Sequence, residues 1–166
     1  MQVHSKPDAA AHFDRIVARE VPGRRGLQAW DALLRAHATL LRQLETDLES
    51  KTGLALADFD VLAQLAIAGG SLRMTELADR ALISRSGMTR RVTRLVHEGL
   101  VRRADADADG RGVVVKLTKP GLNRLTVAAP IHMRGVSERF LTKLNDQELA
   151  VLEGALAKVT LDCTFG

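Results

Sequence analysis

Hydrophobic side chains recur every three or four residues along several stretches of the chain, a spacing that places them on one face of an α-helix. The longest stretch starts at Leu27 and ends before Gly53, a residue suited to a helix C-cap, and it predicts a helix of about six turns. Such a long stripe is expected to pack on another helix. It consists of Leu27, Trp30, Leu33, Leu34, His37, Leu40, Leu41, Leu44 and Leu48.

Shorter helices are predicted on both sides of this element. Residues 9–20 form an amphipathic piece within an otherwise loose arm that ends near Gly26. A helix over residues 57–68, stopped by Gly69 and Gly70, is followed by another over about residues 74–80. The first of these two is expected to turn inward Phe59, Leu62, Leu65 and Ala66.

A further helix is predicted directly after Ser84, whose hydroxyl suits an N-cap. Gly99 followed by Leu100 suits a Schellman stop at its other end. Its apolar positions are Met88, Val92, Leu95 and Val96, and its outward positions are Ser86, Thr89, Arg90 and Arg94. We call this element the reading helix.

The rest of the chain predicts a hairpin and two helices. Two strands, residues 100–104 and 113–117, flank an Asp/Gly turn. Thr118 is a helix cap with Pro120 in the first turn of a helix that runs toward Lys143. Asn145 and Glu148 have the spacing of a capping box at the start of a last helix. That helix is striped by Leu149, Leu152, Leu156 and Val159.

The basic charge of the chain is concentrated around the reading helix. Residues 72–118 hold ten Lys/Arg and six Asp/Glu, a net charge of +4, which equals the net charge of all 166 residues. Residues 84–103 hold six arginines and the single acid Glu98. A phosphate backbone is the expected counterpart, and a solvated basic face is the alternative.

Composition and motifs argue against a membrane protein, a secreted protein and an enzyme. With 46% hydrophobic residues the chain can bury one ordinary core, and it has neither a membrane-length apolar run nor a signal peptide, so we expect a cytoplasmic protein. The chain has one cysteine, Cys163, so an intramolecular disulfide is excluded. Two interpretations of Cys163 remain: an ordinary residue near the end of the chain, or a cysteine that senses peroxide by oxidation. We expect no catalytic residues, no metal site and no enzymatic activity. The sequence has no phosphate-binding glycine loop, no nucleophile elbow and no His or Cys residues at the spacing of zinc ligands.

The order of helix, helix, helix, reading helix, hairpin, helix, helix over about residues 27–159 resembles the MarR family of transcriptional regulators. The motifs that carry the resemblance include Ile83-Ser84-Arg85-Ser86, Gly99-Leu100-Val101-Arg102-Arg103, Asp109-Gly110-Arg111 and Leu117-Thr118-Lys119-Pro120-Gly121. It departs from the family at Arg73, where Ser or Thr often caps a helix, and at Gly87, where the reading helix often has Thr.

The resemblance implies a mainly α fold, a winged helix-turn-helix with a small β-hairpin wing and a helical dimerisation region built from N- and C-terminal helices. The corresponding divisions are an N-terminal arm (1–26), the dimerisation region (27–56 and 119–166) and the DNA-binding region (57–118). The implied partners are double-stranded DNA and a second copy of the chain, without a membrane. In the family, reading helices enter successive major grooves and wings reach the minor grooves.

The implied DNA contacts lie on the reading helix and the wing. Ser84 and Ser86 suit phosphate, Arg90 suits the O6 and N7 edge of guanine, and Arg94 suits phosphate. Arg85 and Thr89 complete the reading surface. At the wing tip, Arg111 is expected to enter the minor groove with Asp109 orienting it. The alternative, an EF-hand loop beginning at Asp105, fails because its twelfth position is Lys116.

The resemblance also implies a small aromatic or phenolic effector and no other cofactor. Its expected crevice is lined by Trp30, His37, Phe59 and Asp60. The predicted function is therefore a ligand-responsive regulator, a repressor that binds a pseudo-palindromic operator as a homodimer. The alternatives are a constitutive DNA-binding activator or architectural protein without effector and, in a different class, a small-molecule-binding enzyme.

Overall fold

The computed structural model describes residues 8–21, 23–105 and 112–161. The chain divides into two compact units, residues 1–41 and 42–166. The described elements are α1 (Ala9–Glu20), α2 (Arg24–Thr52), α3 (Leu56–Ile67), β1 (Ser71–Arg73), α4 (Met74–Arg80), α5 (Arg85–His97), β2 (Val101–Asp105), β3 (Val113–Leu117), α6 (Lys119–Arg139), a 3-10 turn (Leu141–Lys143) and α7 (Asp146–Leu161). Within these ranges no helix is long and apolar enough to cross a membrane.

Of the two N-terminal helices, α1 matches the predicted short helix, and α2 is longer than the predicted long helix. Asp8 is the N-cap of α1, and its carboxylate accepts a hydrogen bond from the Ala10 N–H at 3.2 Å. α2 already begins at Arg24, so the prediction of a loose arm as far as Gly26 is wrong. It has 29 residues, about eight turns rather than six. Gly53 ends it with a positive φ of 65°, as predicted.

The core of the second unit lies among α3, α4, α5 and the sheet, with contributions from the end of α2 and from α6. Phe59, Leu62 and Leu65 of α3 are buried as expected, and Val61 is buried as well. On α5, Met88, Val92 and Leu95 are fully buried. The prediction that Val96 faces inward is wrong, because it is 37% exposed. One residue beyond Leu95 is a rotation of about 100° around a helix, which carries Val96 away from the core.

Three antiparallel strands form a small sheet in the order β1-β3-β2. β2 and β3 are the predicted hairpin, with Val101 opposite Leu117. The strand β1 was not predicted from the sequence, because three residues are too few to show an alternating pattern. Its central Leu72 lies opposite Val115 and both are buried, so β1 joins the hairpin to the core.

The end of α5 is tied directly to the start of α6. Gly99 has a φ of 71°, and the Leu100 N–H donates to the Leu95 carbonyl at 2.9 Å, which confirms the predicted Schellman stop. The Thr118 hydroxyl accepts from the Gly121 N–H at 3.1 Å and lies 2.9 Å from the Leu100 carbonyl oxygen. Thr118 therefore caps α6, as predicted, and holds it against the Schellman turn that follows the reading helix.

The C-terminal part of α2 packs on α6, and a capping box starts α7. Arg139 of α6 donates to the Asp47 carboxylate at 2.6 Å. At Gly135 an added Cβ would lie 2.7 Å from Leu44 Cδ2, so the two helices approach closely there. α6 ends at Arg139, earlier than the predicted Lys143. Asn145 and Glu148 exchange the two hydrogen bonds of the predicted capping box, each 2.9 Å long.

We expect Gly121→Ala to destabilise the protein by more than about 3 kcal/mol. A Cβ at this position would lie 2.0 Å from the Leu100 carbonyl oxygen, a backbone atom that cannot rotate away. Thermal or urea denaturation measures the loss.

Gly26→Ala is the matched control for this substitution. Gly26 also lies in a helix, but an added Cβ would meet nothing within 4 Å. Alanine there is expected to be neutral or to stabilise by up to about 1 kcal/mol. Equal stability of the two variants would contradict the close approach of Leu100 and Gly121.

Candidate nucleic-acid interface

The N-terminus of α5 presents two serine hydroxyl groups and the backbone N–H groups of its first turn. Ser84 is the N-cap, and its Oγ accepts from the Gly87 N–H at 3.2 Å. Ser86 Oγ lies 3.5 Å from Ser84 Oγ, and both serines are exposed. No acidic residue lies in the first turn. A helix N-terminus of this kind attracts an anion such as a phosphate group.

The outward face of α5 collects most of the predicted DNA contacts. The exposed side chains are Ser84, Arg85, Ser86, Thr89 and Arg90. Ser86 and Arg90 lie on the side of the helix opposite the buried Met88, Val92 and Leu95, and Ser84 and Arg85 are exposed at its N-terminal end. Thr89 Oγ1 donates to the Arg85 carbonyl at 3.0 Å, which leaves the oxygen lone pairs able to accept. The arrangement offers hydroxyl groups and two guanidinium groups to one ligand surface.

A buried carboxylate on α3 engages two other arginines of α5. Asp58 is 4% exposed, and its Oδ1 accepts from Arg91 Nη1 at 2.8 Å. Its Oδ2 pairs with Arg94 Nη2. Arg94 Nε also lies 3.8 Å from Glu98 Oε1, while half of the Arg94 side chain remains exposed. The predicted phosphate contact of Arg94 is thus limited to that exposed half.

Sequence reasoning missed the roles of Asp58 and Arg91. The two residues are 33 positions apart, so no local spacing connects them. The available signal was an acid on a largely apolar helix, together with a fourth arginine on the reading helix. Arg91 points between the outward and inward faces of α5 and is half-buried.

A hollow of about 210 Å³ opens beside these arginines. It is lined by Ile83, Gly87, Arg90, Arg91 and Arg94. A Cβ at Gly87 would come within 3.0 Å of Ile83 Cγ2 and of Ser84 Oγ. Glycine at this position therefore avoids a close contact with the start of α5, and the positive charge of the hollow comes from its three arginines.

The described part of the wing adds further positive charge and a link to α5. Arg102 and Arg103 on β2 are exposed. Arg103 Nη2 donates to Thr93 Oγ1 at 2.6 Å, which connects the base of the hairpin to the reading helix. Asp109 and Arg111, the predicted wing-tip residues, lie outside the described residues.

Known proteins share the sequence pattern and the fold of this chain. A family model described as "MarR family" matches residues 52–112. AbsC, a MarR family transcriptional regulator from Streptomyces coelicolor, is 31% identical, with a TM-score of 0.80 over 85% of this chain and 95% of that one. The chain belongs to the MarR family of transcriptional regulators. The predicted winged helix-turn-helix fold is confirmed.

Two further relatives of this MarR regulator extend the comparison. An uncharacterized HTH-type transcriptional regulator of Bacillus cereus is 31% identical over 117 residues, which are 70% of this chain and 77% of that protein. Sco3205 of Streptomyces coelicolor, a MarR family regulator solved in complex with DNA, is 28% identical with a TM-score of 0.83. That superposition covers 89% of this chain and 93% of Sco3205.

The predicted effector residues of this MarR regulator are divided between the two units. Trp30 and His37 lie on α2 in the first unit, and both side chains are exposed. Phe59 and Asp60 lie on α3 in the second unit, where the Phe59 ring is 4.5 Å from the ring of His132. Within the described ranges no group of His, Cys, Asp and Glu could hold a metal ion.

Asp60 and His132 form a partly buried titratable pair. Burial raises the pKa of Asp60, an effect opposed by a hydrogen bond from Gln64 and by the charge of His132. Burial lowers the pKa of His132, against the attraction of Asp60. His132 Nδ1 is buried, with no hydrogen-bond partner among the described residues. Both groups thus favour their neutral forms.

We expect His132→Gln to reduce the loss of stability on mild acidification. Because the pKa of His132 lies below its ordinary 6.5, the folded protein resists a proton that the unfolded chain accepts. This contribution to the free energy of unfolding is present above pH 6.5 and is lost as the pH falls below it. Urea denaturation between about pH 7.5 and 5.5 measures the difference in slope.

The range stops there because protonation of Asp60, whose pKa is raised, acts in the opposite direction. His12→Gln, which removes an exposed histidine of α1, serves as the control. Identical pH slopes for the wild type and His132→Gln would contradict the prediction.

Proposed function

We propose that this MarR-family regulator binds a pseudo-palindromic DNA duplex as a homodimer, with the two α5 helices in successive major grooves. The observation that carries the proposal is the two-sided character of α5. One side is fully buried in the core, and the opposite side holds exposed hydroxyl and guanidinium groups. The DNA complex of Sco3205, which shares the fold at 28% identity, supports it.

Each exposed group has a chemical role in this proposal. Ser84, Ser86 and the first-turn backbone donors hold a phosphate, and Arg85 adds a second phosphate contact. Arg90, in the middle of the outward face, bridges O6 and N7 of a guanine. Thr89 contacts a neighbouring base. Arg94, which is paired with Asp58, offers a phosphate only its exposed half. At the wing tip, Arg111 with Asp109 enters the minor groove; this assignment rests on the sequence.

The uncovered apolar surface of α6 and α7 supports a homodimer. No described side chain of α7 is buried, although the helix carries Val151, 67% exposed, and Val159, 59% exposed. On α6, Val127 and Met133 are more than half exposed. Exposed apolar side chains of this kind are costly in water, and a dimer interface built from residues 27–56 and 119–166 would bury them against a second copy.

Binding of two chains to one duplex is the first expected result. Sedimentation with a labelled duplex should show a 2:1 complex, with the free protein dimeric at micromolar concentration. A salt titration should show that the preferred palindrome remains tightly bound after random-sequence DNA has been released. The duplex is first selected from random DNA by the purified protein. A folded monomer, or equal affinity for all duplexes, would contradict the proposal.

Arg90→Ala and Arg85→Ala should separate base reading from phosphate binding. We expect Arg90→Ala to cost about 1 to 3 kcal/mol on the preferred site and to relax the base preference. Arg85→Ala should weaken all duplexes alike and reduce the salt slope by about one. Fluorescence anisotropy on matched and mismatched duplexes measures both. If the two variants keep wild-type affinity and preference, the helix faces DNA differently.

Ligand response and repression complete the proposed function. An effector releases DNA only through its difference in affinity between the DNA-bound and free conformations, and a hundredfold release needs about 2.7 kcal/mol. The support is family membership and the predicted residues Trp30, His37, Phe59 and Asp60. A thermal-shift panel of small phenols and aromatic carboxylates, repeated with operator DNA, tests it. If no compound both stabilises the free protein and weakens its binding to operator DNA, the constitutive alternative is preferred.

A further inference from the structure

Asp58 connects the core of the second unit to the reading helix through a single negative charge. It lies on α3 beside the fully buried Leu62 and Val61, so its backbone is held by the core. Its side chain is 6% exposed, and its two oxygens pair with different arginines of α5, Arg91 and Arg94. One buried anion thus holds two cations of the helix proposed to read DNA.

Arg91 and Arg94 line the basic hollow together with Arg90, but they differ from Arg90 in being paired with Asp58. The Arg91 side chain is 26% exposed and the Arg94 side chain 52% exposed. A DNA phosphate that approached either guanidinium would compete with a carboxylate that has little access to water. A buried carboxylate is stable only while such partners remain, so the pairing persists.

We propose that Asp58 is a positioning residue that determines DNA specificity by withholding the charge of Arg91 and Arg94 from non-specific phosphate binding. The inference rests on the proposed DNA-binding function. The ion pairs also fix the rotation of α5 about its axis, so that Arg90 and Thr89 face the groove. Both effects favour contacts that depend on sequence over contacts that do not.

The physical reason lies in how non-specific binding scales with charge. Each phosphate that a protein neutralises releases counterions and steepens the dependence of log K on log salt by about 0.9. Guanidinium groups already neutralised by Asp58 contribute less to this term. Loss of the carboxylate releases two cations and removes one anion near the DNA surface. Binding to any duplex should then strengthen, while the gain on the preferred site stays smaller because α5 is held less firmly.

Asp58→Asn provides the test, since it removes the charge and nearly preserves the volume. On a random-sequence duplex we expect tighter binding and a salt slope steeper by about one to two. The ratio of specific to non-specific affinity should fall about tenfold. A purely structural role would instead weaken binding to both duplexes. Asp58→Glu, which restores the charge, should bring the ratio and the slope back toward wild type.

Glu49→Gln is the matched control for net charge. Glu49 is an exposed residue of α2, so this substitution also removes one negative charge but leaves the ion pairs of α5 intact. It should retain the wild-type salt slope and specificity ratio. An equal change in Glu49→Gln and Asp58→Asn would assign the effect to total charge and overturn the inference.

A second variant keeps the test decisive if Asp58→Asn does not fold. The double variant Asp58→Asn/Arg91→Gln removes one freed cation as well, so it releases Arg94 alone and should steepen the slope by about one. Circular dichroism and thermal denaturation establish folding. An unchanged slope and ratio in the folded variants, with a wild type that prefers its selected duplex, would overturn only the role of Asp58. A wild type without duplex preference would overturn the proposed function as well.

Discussion

The burial of one face of α5 is the constraint on which the rest of the candidate interface depends. Met88, Val92 and Leu95 are fully buried against a core that also contains Leu62, Leu77 and Val115. A helix with three side chains fixed in this way has little freedom to rotate, so its remaining residues have determined directions. The directions of the exposed arginines and hydroxyl groups of α5 therefore follow first from apolar packing, to which the ion pairs of Asp58 add.

The same packing transmits the position of α5 to its neighbours. The Schellman stop at Gly99 turns the chain into β2, and β1 adds a third strand that anchors the hairpin through Leu72. The Thr118 hydroxyl and the absence of a side chain at Gly121 bring α6 against the Leu100 carbonyl. The reading helix, the wing and a proposed dimerisation helix thus meet around one short connection, which suits a regulator whose dimer geometry must match DNA.

Charge on the reading helix is divided by its partners into two sets. Arg85 and Arg90 are exposed, whereas Arg91 and Arg94 are paired with Asp58. A count of arginines treats all of them as equal ligands for phosphate. The tertiary structure distinguishes them, because a buried carboxylate competes for two of the guanidinium groups.

Local signals in the sequence determined the helices, their caps and the family. Ser84, Thr118 and the pair Asn145/Glu148 cap helices as predicted, since a cap depends on residues only two to four positions away. The Asp/Gly turn between two strand-forming segments was enough for the hairpin. Only the tertiary structure decided the pairing of β1, the exposure of Val96, the contact of Phe59 with His132 and the ion pairs of Asp58. These features join residues that are far apart in the chain or depend on the exact rotation of a helix, and no spacing along the sequence records either quantity.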